Sequence, residues 1–284
     1  MQSGSSAAQR VKQQQAKHWD NVAGGWAAWL DWTERNFSPL SEWFAEAAGW
    51  APGMHVLDIA CGAGYPALLG ASRVRPGGRQ VATDISPAMV LAASQAANAT
   101  GLSNIEFLEM DAEDLRFDDQ SFDAVTNAYG LMFCPDPQLA VNEAYRVLKT
   151  GGRFALATWA EPSNSPFFTV ITSVAAPILS LAAPDPAAPG PFRLASATLL
   201  ESMLRTAGFS RVHVKSCSAT FECASAEEYV RLFSDFAWKA RLAALPDAAR
   251  LRFQDAVRDG AEPFTKDGRL RLVATSLCAS GEKA

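Results

Sequence analysis

His55-Val-Leu-Asp58-Ile-Ala60-Cys61-Gly62-Ala-Gly64-Tyr65 is followed, twenty residues after Gly64, by Asp84 in Val81-Ala-Thr-Asp84-Ile85-Ser86. An apolar strand runs into a two-glycine turn, and a second apolar strand ends in an acid. An α/β sheet builds a nucleoside pocket in this way. Gly62 and Gly64 let backbone and ligand approach where a Cβ would collide, and the Asp84 carboxylate has lone pairs for both ribose hydroxyls. The pairing predicts an adenosyl cofactor.

Gly62-x-Gly64-x-x-Ala67 also satisfies the loose dinucleotide pattern, so an NAD-dependent oxidoreductase is the alternative reading. Asp58, four residues ahead of Gly62, and Pro66 after the turn separate the two. An acid there repels a pyrophosphate held at a helix N-terminus, whereas S-adenosyl-L-methionine carries a positive sulfonium and an α-ammonium. Tyr145-x-x-x-Lys149 has the spacing of a short-chain dehydrogenase pair. Its context reads as the last turn of a helix before Gly151-Gly152, where a lysine complements the helix dipole and faces solvent.

Five ordered stretches resemble class I S-adenosylmethionine-dependent methyltransferases, and most of all the ubiquinone/menaquinone C-methyltransferase-like small-molecule subgroup. They are Asp58 to Gly64, Asp84, Met110-Asp111-Ala112-Glu113, Phe122 to Gly130, and Arg146 to Gly152. The match runs from about Val56 to Trp159. It implies a Rossmann-like, seven-stranded, mostly parallel sheet with helices on both faces. It also implies cofactor contacts from Asp58, Ala60, Cys61, Gly62, Gly64, Asp84, Ile85, Met89, Asp111, Ala112 and Asn127, and from Trp26 in a covering segment. Ala60 stands where the family has its first glycine. Gly130-Leu-Met-Phe133 replaces the Gly-Leu-Arg-Asn usual in the quinone enzymes, which argues against a quinone ring as acceptor. A relative that binds the cofactor without methylating is a further alternative.

Composition sets bounds. A chain of 284 residues, 49% hydrophobic with net charge −5, buries one large core and offers no basic footprint for nucleic acid. The amino-methylating DNA enzymes carry an Asn/Asp-Pro-Pro-Tyr/Phe clamp, and Asn127-Ala128-Tyr129-Gly130 is not one. No apolar run reaches membrane-span length. The five cysteines lack metal-ligand spacing and read as reduced thiols of a cytoplasmic protein, so no metal is expected.

Four regions follow within one domain: a mobile polar arm (1–15), an N-terminal helical cap (16–50), the cofactor core (51–160) and completion of the sheet with helical lid insertions (161–284). Strands are expected near 54–60, 79–84, 104–109, 122–127, 153–160, 212–221 and 270–278. Trp26, Trp29 and Trp32 step by three, which places them on one helix face. Ala182 to Pro191 reads as a stiff loop. Lid and cap would close over an apolar or aromatic methyl acceptor, with Asn127 and Tyr129 as its floor, or else serve a homodimer. Transfer from a sulfonium needs no metal or enzyme nucleophile. A base is needed only for an acidic acceptor, and Tyr129 and His18 are the candidates.

Overall fold

The computed structural model describes residues 6–179, 185 and 187–284. Val56, Leu57 and Ile59, all at most 1% exposed, make β1 (His55–Ile59) a strand buried on both faces, as a central parallel strand must be. Parallel neighbours flank it. β2 (Arg79–Asp84) and β3 (Ile105–Glu109) lie on one side, β4 (Phe122–Ala128) and β5 (Leu148–Trp159) on the other. Helices α3 (Ala67–Arg73), α4 (Pro87–Ala99) and α5 (Pro137–Val147) cross between them. This alternation delivers the C-terminal ends of β1, β2 and β4 to one edge, where ligands of such sheets bind.

Beyond β5 come α6 (Pro166–Ile178), α7 (Ala197–Ala207), β6 (Phe209–Cys223), α8 (Ala226–Phe233), α9 (Lys239–Ala243) and α10 (Asp247–Ala261). A two-residue β7 (Thr265–Lys266) and β8 (Arg269–Lys283) close the chain. The order is β3-β2-β1-β4-β5-β8-β6, with β7 attached to β8. The seven expected strands form the main path, and β7 is the addition. β8 runs antiparallel between β5 and β6. β5 stops at Trp159, paired with Ser276, whereas β6 and β8 stay paired out to Cys223 and Leu270. This hairpin therefore rises past the ligand edge, and α6 packs on it with α8 and α10 behind.

Several expectations are corrected. Residues 6–15 are not an arm: α1 spans Ala7–Ala28, opened by a capping box in which Ser6 and Gln9 bond reciprocally. Residues 1–5 of the expected arm lie outside the described residues, as do 180–184 and 186 beside the proline-rich loop. The tryptophans are not on one continuous helix, because it breaks at Trp29 (φ −103°, ψ 14°) before α2 (Leu30–Ala48), yet all three reach Asp235 or Phe236. Trp26 stacks on Phe236, with centroids 3.9 Å apart and planes at 5°. Trp32 enters the main core against Phe167 and Phe221. Lys149 is in β5 rather than in a helix. Its Nζ pairs with Asp123 at 2.7 Å, while Tyr145 remains in α5 against Lys283, so the dehydrogenase-like pair is not assembled.

Candidate active site

The turn after β1 is held in left-handed backbone at Ala60 (φ 55°), Gly62 (φ 54°) and Gly64 (φ 121°). A Cβ built on Gly62 meets nothing within 4 Å, so the space at this glycine is open rather than filled by protein. Ala60 tolerates the family's glycine position because its methyl faces Gly130, where a Cβ would collide with that methyl and with the Asn127 amide. Alanine at 60 and glycine at 130 are sterically linked.

Asp84 ties two loops together: Oδ2 accepts from Gly62 N and Oδ1 from Ser86 N, both at 2.9 Å. The Ile85 amide bears on the carboxylate as well, which still keeps acceptor capacity for a ligand. Burial pushes its carboxyl up to about 6, against the pull of the Ser86 and Gly62 amides, and Asp20 adds to the rise. Asp58 is wholly buried. Its Oδ1 accepts from Thr126 Oγ1 at 2.6 Å, while Oδ2 has no partner among the described residues. Burial holds this acid well above the usual carboxylate range, only partly offset by Thr126. A buried acid with a free oxygen beside an open glycine turn fits a cationic ligand, and Asp84 beyond it fits a ribose.

The other expected residues divide by what they touch. Cys61 is buried with its thiol pushed well up by burial, so it is an inert turn residue. Asn127 spends its amide on the turn: Nδ2 donates to Ile59 O at 2.7 Å, and Oδ1 accepts from Leu131 N and Gly130 N. These bonds position the glycine turn and leave one Nδ2 proton uncommitted among the described residues. Met89 is buried under α1 with Val22, Ala23 and Ala63. Ile85 is half-buried and Ala112 buried at the same edge. Asp111 accepts from Glu113 N and pairs with Lys12 at 2.6 Å, while Lys12 also reaches Glu113 at 2.8 Å. Trp26 lies against α4 and the turn beside Ala63, with its buried Nε1 unpartnered.

The two candidate bases are not brought together. His18 is partly exposed on α1 with its ring edge-on to Trp19, and its partial burial, with Arg241 nearby, lowers its pKa. Tyr129 takes left-handed backbone (φ 61°), stacks on Trp159 at 4.2 Å and shares a 2.6 Å hydrogen bond with Ser276 Oγ. Burial raises its hydroxyl well above the usual phenol range, so Tyr129 stays protonated and is a donor rather than a base.

Sequence reading missed the residues that fasten the cap. Asp20 Oδ1 accepts from Ser86 Oγ at 2.6 Å and from Ala88 N at 3.3 Å, so α1 caps the N-terminus of α4 beside Asp84. On its other side α1 docks on the π-helical segment Ser234–Trp238. Trp29 Nε1 donates to Asp235 Oδ2 at 2.9 Å, and Gly25 lies where a Cβ would collide with the Asp235 carbonyl. Serine before proline at 86 marks a helix cap in the sequence. Nothing local marks the partners Asp20 and Gly25.

The parallel sheet, its strand order and the acid-tipped strands around an open glycine turn define a class I methyltransferase architecture. Residues 57–156 match the family model described as a methyltransferase domain. A demethylmenaquinone methyltransferase of Thermus thermophilus is 41% identical over 112 residues, 39% of this chain and 50% of that protein. An uncharacterized protein of Mycobacterium tuberculosis is 36% identical over 126 residues, 44% of each chain. The chain thus spans about half the length of the curated relatives it matches. The YcgJ protein of Bacillus subtilis has the same fold, with a TM-score of 0.56 at 22% identity over 87% of this chain and 98% of that one. Residues 57–156 of this chain thus carry a methyltransferase domain, and over much the same stretch the sequence is similar to menaquinone methyltransferases.

Proposed function

We propose that the protein transfers the methyl group of S-adenosyl-L-methionine to an O, C or N atom of a small apolar or aromatic metabolite. The observation that carries this reading is the wholly buried Asp58, with one oxygen unbonded among the described residues, near Asp84 and the turn opened at Gly62. Two acids this close suit a cation and a ribose and disfavour a pyrophosphate, which supports the sulfonium cofactor over NAD. The bound cofactor supplies an electrophilic methyl whose sulfonium charge disappears on transfer. The chain's share is alignment and exclusion of water. Gly62 and Ser86 amides orient Asp84 for ribose hydroxyls, Thr126 orients Asp58, and Asn127 fixes the turn between them.

An apolar acceptor is supported by the aromatic wall at the ends of β4 and β5. There Tyr129, Trp159, Phe37, Phe221 and Phe168 pack edge-on or stacked within about 4 to 6 Å. A polar acceptor would gain nothing from that surface. With Tyr129 held protonated, His18, whose pKa partial burial and Arg241 lower, is the remaining candidate base, and an ionised or inherently nucleophilic acceptor needs none. Five free cysteines suit a reducing compartment and support action in the cytoplasm.

Native mass spectrometry of the purified protein tests the cofactor. Co-purification or stoichiometric uptake of S-adenosylhomocysteine is expected. Uptake of NAD in its place overturns the reading. Methyl release from labelled cofactor into an extract of small metabolites then separates transfer from binding alone.

A further inference from the structure

Ser86 faces two acids at once, through different atoms. Its backbone N–H donates to Asp84 Oδ1 at 2.9 Å, and its hydroxyl donates to Asp20 Oδ1 at 2.6 Å, 66 residues away on α1. The same hydroxyl accepts from Met89 N at 3.1 Å. Pro87 has no N–H, so Ala88 and Met89 bring the first amides of α4 that need partners. Met89 takes Ser86 Oγ, and Ala88 takes Asp20 Oδ1 at 3.3 Å. A carboxylate on α1 therefore completes a cap that Ser86 alone leaves half made.

Asp20 itself is exposed, but Ser86 is fully buried. Without the Asp20 oxygen the serine must turn its hydroxyl or keep a buried donor unpaired, and either disturbs the loop whose amide fixes Asp84. Packing holds Asp20 in place, since Val22 and Ala23, on the same helix, are buried with Met89 and Ala63. Asp84 is faced by Asp58 from β1, Cys61 from the turn, Asp20 from α1 and Glu109, its neighbour in register on β3. Burial chiefly, and Asp20 in addition, raise the Asp84 carboxyl. The oxygen of Asp20 thus steadies the site while its charge opposes ionisation there, and the two effects are separable by substitution.

We propose that Asp20 is a positioning residue for the cofactor site: through Ser86 it steadies the carboxylate of Asp84, so that docking of α1 and binding of the cofactor favour each other. The claim rests on the S-adenosylmethionine reading above. It adds to that reading a residue outside the matched stretch 57–156, acting through Ser86.

The test uses the full chain with S-adenosylhomocysteine as probe. Asp20→Ala removes both oxygen and charge, whereas Asp20→Asn keeps an acceptor oxygen and removes the charge alone. At pH 7.5 calorimetry should show affinity at least about fivefold weaker in Asp20→Ala, and within about threefold of wild type in Asp20→Asn. The pH profile separates positioning of Asp84 from general support of the fold. With the opposing charge gone Asp84 ionises more readily, so the rise in dissociation constant from pH 7.5 to pH 5 should be about twofold smaller in Asp20→Asn than in wild type. In the unmutated protein S-adenosylhomocysteine should slow amide exchange over residues 16–22 and 85–90 together, which covers the case of a variant that fails to fold. Wild-type affinity in Asp20→Ala, an Asp20→Asn profile that overlays wild type, or protection confined to 85–90 overturns the proposal. Wild-type protein that binds no S-adenosylhomocysteine overturns instead the reading on which it rests.

Discussion

Acidification should release the cofactor through Asp84. The empty site holds this carboxyl at about 6, above the ordinary value of 3.8, because burial outweighs the Gly62 and Ser86 amides. Ribose hydroxyls donating to the carboxylate favour its ionised form and return the pKa toward the ordinary value. Affinity then tracks the ionised fraction of the empty site. That fraction is nearly complete at pH 7.5 and about a tenth at pH 5, so the dissociation constant rises about tenfold between them. The stability of the empty protein moves in the opposite sense. A folded pKa raised above the unfolded one gives stability that is present below about pH 4 and lost as pH rises through 6, about 3 kcal/mol in all for a gap of this size. Calorimetry with S-adenosylhomocysteine in two buffers of different ionisation enthalpy reads both quantities, and near pH 6 binding should expel about half a proton. Asp84→Asn should weaken binding by one to two decades, for the loss of about 1.5–3 kcal/mol of charge-assisted bonding, and flatten the pH profile. Any residual slope belongs to Asp58, raised in the same direction. Wild-type affinity that is level from pH 5 to 7.5, with no proton release, would refute the reasoning.

Two further outcomes concern the cap. Gly25→Leu forces a side chain into the Asp235 carbonyl, so α1 should lift from the 234–238 segment; amide exchange across residues 7–28 is expected to speed up with S-adenosylhomocysteine affinity reduced less than tenfold, and unchanged exchange would contradict the docking. Lys12→Ala leaves Asp111 and Glu113 facing each other without their cation. The loss is about 1 kcal/mol for pairs only partly shielded from solvent, read as a lower melting temperature at 50 mM salt that narrows toward wild type at 1 M; an equal deficit at both salts would show that packing, not charge, is what Lys12 supplies.

The central strands were legible because fully buried parallel strands announce themselves as apolar runs ending in acids. Asp58 and Asp84 were found where the motif spacing put them. The cap was not legible, for reasons that lie in tertiary contacts. Ser6 to Gln15 has the polar composition of an arm, yet a capping box and the distant acids Asp111 and Glu113 order it as helix. Trp29 ends α1 without a glycine or proline to mark the break, so the three-residue step of tryptophans spans two helices rather than one. Asp20 looks like any surface acid until Ser86, 66 residues away, is placed beside it. Asn127 was found for its position but not for its part in holding the turn, because only the fold shows its amide bonded to Ile59, Gly130 and Leu131.

The most direct measurement of the central claim is calorimetric titration of S-adenosylhomocysteine into wild-type protein and Gly62→Val. A Cβ at Gly62 meets no protein within 4 Å, so the substitution is aimed at the ligand space, although its left-handed backbone costs about 1–2 kcal/mol. The account predicts saturable one-to-one binding to wild type, and no detectable heat from a variant whose circular dichroism still shows the folded sheet. Binding of equal strength to both proteins would mean that the turn between Asp58 and Asp84 does not touch the cofactor, and would contradict the account.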